Sequence, residues 1–126
     1  MKMITPAELE MRMLENNDVI ILDVRAEEKY LNEHIAGSIN IEKTHILSGN
    51  ESEAIQSLPK NKELIITCTT GNSARKCAEI LTSKEYNVTL LEGGMTAWKA
   101  NKNKSGSALN IAVQTGRSPT EIKETR

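Results

Sequence analysis

The chain has 126 residues, of which 38% are hydrophobic and 26% charged, and 16 basic against 17 acidic side chains leave a net charge of -1. That composition suits one globular domain with one modest core, and it excludes an overall field that would draw the protein onto nucleic acid or an anionic membrane. Tyr30, Tyr86 and Trp98 are the only aromatics, which argues against a base-stacking surface, and no apolar run approaches the ~18 residues of a membrane span.

The start, MKMITPAELEMRM, lacks the continuous apolar stretch of a secretory signal, so a cytoplasmic protein is expected. Thr5-Pro6-Ala7-Glu8 is a capping box with Pro at the first helical position and predicts a helix from Pro6 to Glu15, broken at Asn16-Asn17. VIILDV, residues 19–24, is a continuous apolar run rich in β-branched residues, the pattern of a strand buried on both faces. AEEKYLNEH, 26–34, predicts a short helix, after which Gly37 releases the chain into SINI, a short strand.

Residues 42–50 carry no legible pattern, and ESEAIQSL, 51–58, is weakly helical before Pro59. ELIIT, 63–67, is the second clear buried strand. SARKCAEILTSKEY, 73–86, is an amphipathic helix with Ala74, Cys77, Ala78 and Leu81 on one stripe. NVTLLE, 87–92, is the third clear strand, and Gly93-Gly94 turns it into MTAWKA, a short last helix packed through Trp98. Strands alternating with helices predict an α/β fold with a central parallel sheet flanked by helices on both faces.

The domain is expected to span 1–101. Residues 102–126 form a polar tail: the composition shifts from Asn101, where NKNKSGS reads as a linker, and ALNIAV offers a short strand or one helical turn. Packing, exchange onto a partner and disorder all remain open for that tail.

CTTGNSARK, residues 68–76, joins the second strand to its helix. In an open α/β sheet, ligands bind outside the carboxyl ends of the strands, where loops lead into helix N-termini. Cys68 stands at such an end. Thr69, Thr70 and Asn72 are small and polar, Gly71 permits a tight loop, and Ser73 is expected to cap the helix. Successive amides in such a loop form a nest with the helix's positive end behind it, an arrangement that favours anionic sulfur and so makes a nucleophile. The competing reading of Cys68 is a buried small hydrophobe at a strand end, while Cys77, on the inward stripe, reads as core, with a resolving partner for Cys68 as its alternative. Two cysteines are too few for a disulfide framework, and without ligands at suitable spacing they predict no metal site.

On three segments the sequence resembles the single-domain rhodanese family of sulfurtransferases, over about residues 3–100. ILDVRAEEKYLNEHIAGSINI is similar to the family's leading segment, CTTGNSA to its cysteine loop, and LLEGGMTAW to its closing Gly-Gly-x-x-x-Trp. The resemblance implies a rhodanese-like α/β domain and a ping-pong reaction. In it Cys68 takes sulfane sulfur from thiosulfate or a persulfide and passes it to cyanide, a thiol or a protein cysteine, without metal or organic cofactor. It implies that the amides of Thr69 to Ala74 hold the persulfide. Many members carry Arg where this chain has Ser73, so the cation Arg75, beside Lys76, is expected to serve the donor at the rim with modest affinity.

Asp23 and Arg25 are candidates to support the loop through an ion pair, against the alternative of a helix cap with a solvated Arg. His34 reads as a turn-fixing hydrogen-bonding residue rather than a base. Two other functions compete. A phosphatase or arsenate reductase on a related scaffold needs Arg at the position of Ala74. A sulfur-carrier or adaptor module would act through protein partners and the tail. Oligomeric state, physiological donor and acceptor leave no signal in the sequence.

Overall fold

The computed structural model describes residues 1–15, 18–48, 53–105 and 111–113. Four of the five strands of its main sheet follow from apolar or β-branched runs: β2 (Ile20–Asp23), β4 (Ile39–Asn40), β5 (Glu63–Thr67) and β6 (Asn87–Leu91). The fifth, β1 (Lys2–Ile4), precedes the capped helix and was not expected. All run parallel in the order β1-β6-β5-β2-β4.

The central strands are buried on both faces, so consecutive residues enter different cores. Leu64 and Ile66 pack into a cluster with Ala74, Cys77, Ala78 and Leu81. Ile65 faces the opposite cluster with Leu9, Met95 and Trp98. The first layer belongs to α3 (Lys43–Leu47), α4 (Glu53–Gln56) and α5 (Asn72–Ser83), and the second to α1 (Pro6–Leu14) and α6 (Gly94–Ser105). The fold is thus the expected α/β sheet with helices on both faces.

The Thr5 capping box forms as predicted, with reciprocal bonds between Thr5 and Glu8. The helix expected over 26–34 is shorter, as α2 (Glu27–Asn32), because the next residues extend into β3 (Glu33–Ile35). That strand pairs antiparallel with β7 (Ile111–Val113), which puts the strand alternative of ALNIAV in place. The linker expected from Asn101 is helical through Ser105, since Lys102 is buried and bonds the Glu10 carboxylate, which also accepts from Asn101 Nδ2 at 3.2 Å. The rest of the tail lies outside the described residues. Among those described, no helix is long and apolar enough to cross a membrane.

Candidate functional site

The carboxyl ends of β2 and β5 open into a cleft of about 340 Å³. Cys68, the first residue beyond β5, lines it while remaining only 5% exposed. Its Sγ accepts a hydrogen bond from the Gly71 amide at 3.0 Å and from the Ala74 amide at 3.3 Å. Both donors belong to the start of α5, whose first-turn N–H groups have no intrahelical partner and whose dipole is positive at that end. The sulfur therefore sits where a negative charge is stabilised.

One local expectation is corrected. The residue capping α5 is Gly71, in the left-handed region at φ 105°, and the helix begins at Asn72, so Ser73 lies inside the first turn. A left-handed residue turns the chain tightly enough to return the Gly71 and Ala74 amides to the sulfur, and glycine adopts it without steric cost. The Ser73 hydroxyl instead receives a hydrogen bond from Lys43 Nζ at 3.3 Å.

The loop is held from behind by α6. Met95 N donates to the Cys68 carbonyl at 2.7 Å and Thr96 N to the Thr69 carbonyl at 3.0 Å, so the free amides of one helix end fix the backbone of the cysteine loop. Gly93 and Gly94 both have positive φ. At Gly94 a Cβ would lie 2.4 Å from the Cys68 carbonyl oxygen. The Gly-Gly pair thus permits a close approach of two backbones as well as a turn.

Thr69, Thr70, Asn72 and Ser73 line the cleft with Cys68. Arg75 is exposed on α5 and is not among the residues that line the cleft wall. The cations that do line the cleft are Arg25, Lys29 and Lys43. Neither lysine was singled out in the sequence. Lys43 belongs to the stretch without pattern, and Lys29 is one charge among several on a short helix.

Asp23 and Arg25 form the ion pair rather than a cap with a solvated Arg. Arg25 Nε donates to both Asp23 carboxylate oxygens at 3.0 Å, Nη2 to Oδ2 at 2.7 Å, and Nη2 also to the Glu33 carbonyl at 2.8 Å. The Asp23 side chain is fully buried and that of Arg25 8% exposed. Their bonds join the exit of β2 to β3, and Arg25 adds a wall to the cleft. His34 is buried away from the cleft, with Nδ1 2.7 Å from the Tyr30 carbonyl and its ring stacked on Tyr30 at 4.0 Å.

Comparison with known proteins agrees with this architecture. The family model described as rhodanese-like domain matches residues 5–101. The putative sulfurtransferase YtwF of Bacillus subtilis is 26% identical over 98 residues, covering 78% of this chain and 90% of that protein. Thiosulfate sulfurtransferase GlpE of Coxiella burnetii is 28% identical over 99 residues, covering 78% of this chain and 88% of the relative. Among solved structures, a rhodanese-like domain protein from Staphylococcus aureus superposes with a TM-score of 0.69 at 33% identity, over 78% of this chain and 91% of the other.

Proposed function

The chain belongs to the rhodanese-like domain family, and from that membership we propose that it moves sulfane sulfur from a small donor such as thiosulfate to a thiophilic acceptor through a persulfide on Cys68. The observation that carries this reading is the pair of amides, from Gly71 and Ala74, converging on Cys68 Sγ at the wall of an open cleft. Such a cradle stabilises a thiolate before reaction and the terminal sulfur of a persulfide after it. The names of two similar proteins, both sulfurtransferases, support the class of reaction.

In the first half-reaction the Cys68 thiolate attacks the outer sulfur of the donor. The donor's S–S bond breaks, its electron pair leaves with sulfite, and the new bond makes Cys68 a persulfide. In the second, cyanide, a thiol or a protein cysteine attacks the terminal sulfur and the Cys68 thiolate departs. Atoms and electrons balance in each half without an oxidant, and the protein ends as it began.

Mixing the protein with thiosulfate and measuring its intact mass tests the covalent step: one sulfur adds about 32 Da to one thiol. Cys68→Ser is expected to abolish the adduct and Cys77→Ser to retain it. Cyanide should then remove the added mass and release thiocyanate. An aryl phosphate assayed in parallel addresses the phosphatase alternative, for which the methyl side chain of Ala74 offers no bidentate cation. Phosphate release without thiocyanate would overturn the proposal.

A further inference from the structure

Among the described residues the cleft holds three cations, but they are not equivalent. Arg25 is matched by the buried Asp23 carboxylate, and one of its Nη2 bonds goes to a backbone carbonyl, so it brings little uncompensated charge. Lys29 and Lys43 are exposed, and among the described residues the lining contains no carboxylate. Of the two, Lys43 stands closer to the chemistry. Its Nζ reaches Ser73 Oγ, next in the chain to the Ala74 amide that touches the sulfur. Its backbone amide is fixed to the Val24 carbonyl at 3.0 Å, at the exit of β2. A lysine ammonium has three donors, and Ser73 occupies one.

Resting on the sulfur-transfer reading, we propose that Lys43, with Lys29 in the same cleft lining, is the specificity-determining residue for the donor: it binds the oxyanion end of a small dianionic donor of the thiosulfate type and holds the departing sulfite. The charge that the family's loop arginine would supply is here delivered from outside the loop, by α3. A compact ammonium near the first turn of α5 also adds to the helix's positive end, so negative charge growing on the leaving group as the S–S bond breaks meets both. The influence of the Lys43 charge extends into this part of the core, where it pulls the Cys77 thiol down against the effect of burial. The acceptor step ends with sulfite already gone, and so does not need Lys43.

The test compares donors of different charge in wild type, Lys43→Met, Lys43→Arg and Lys29→Met. Thiosulfate carries two negative charges and benzenethiosulfonate one. Lys43→Met should lower kcat/KM for thiosulfate about tenfold, and for benzenethiosulfonate about threefold or less. Lys43→Arg should restore most of the loss, Lys29→Met should show a smaller one, and discharge of a preloaded persulfide by cyanide should fall by less than uptake from thiosulfate in all. Because Lys43 is exposed, these variants are expected to melt as wild type does. Equal losses on the two donors, or none, would overturn the role of Lys43 while leaving sulfur transfer intact. Failure of wild type to take up sulfur from either donor would instead sink the reading beneath it.

Discussion

Cys68 and Cys77 share one core layer yet differ in what surrounds their sulfur. Cys68 meets two amides and a cleft, whereas Cys77 is fully buried on the inner stripe of α5. Burial, reinforced by nearby Cys68, pushes the Cys77 thiol up to about 11 from an ordinary 9.0, with Lys43 opposing. A folded-state pKa raised in this way means the unfolded chain loses its proton first. The contribution is therefore fully present below pH 9 and is lost as pH rises through about 11. Urea melts at pH 10.5 should show wild type destabilised relative to pH 7.5, and Cys77→Ala should show about 2 kcal/mol less of that alkaline loss. The different settings of the two cysteines were legible because an inward i, i+3, i+4 stripe marks a buried thiol, as at Cys77, and a strand-end loop puts Cys68 at the wall of a cleft. The Arg25 pairing was not decidable, since its partners Asp23 and the Glu33 carbonyl meet only when β2 and β3 are brought together.

Two helix ends meet at the site: α5 directs its amides at the sulfur, and α6 directs its own at the carbonyls of the same loop. Gly94 is the point of contact. Its φ is +60°, and an added Cβ would lie 2.4 Å from the Cys68 carbonyl oxygen and 2.8 Å from that of Thr69. Gly94→Ala should therefore displace the loop, cost about 2 kcal/mol or more in stability, and abolish sulfur uptake in the intact-mass measurement. Gly37→Ala is the control: φ is also positive there, at +82°, but none of the described residues comes within 4 Å of an added Cβ, so it should cost about 1 kcal/mol and keep uptake. Elements with a local signature were readable, namely the capped α1, the apolar β2, β5 and β6, and the amphipathic α5. Elements that exist through long-range contacts were not. β1 is three residues long, buries only Ile4, and is held by its register with Thr89 to Leu91. α3 has no side-chain cap and one buried residue, Ile46, so the helix carrying Lys43 left no pattern to read.

At the scale of the whole molecule, the boundary between domain and tail is set by tertiary contacts that composition conceals. NKNKSGS looks like a linker, but α6 continues through its first five residues because Lys102 is 2% exposed, bonds Glu10 on α1 and lies 5.3 Å over the Trp98 ring. A chain ending at residue 101 loses that anchor and leaves the Glu10 carboxylate, itself largely buried, without its ammonium. A chain ending at residue 105 keeps the anchor and loses only the pairing of β7 with β3 within the described structure. The shorter truncation product should melt lower by about 4–8 °C, the shift expected for each kcal/mol in a domain of this size, while the longer should melt near wild type. Because β7 pairs with β3 and the described lining of the cleft comes from residues 24–29, 43 and 68–73, 1–105 should turn over thiosulfate and cyanide within about twofold of the full chain, a change below ~0.5 kcal/mol. Transfer to a protein cysteine separates the roles of the tail. If it falls in 1–105 while small-molecule turnover holds, residues 106–126 recognise the acceptor; if both hold, recognition lies on the rim formed by α2, α3 and the cysteine loop.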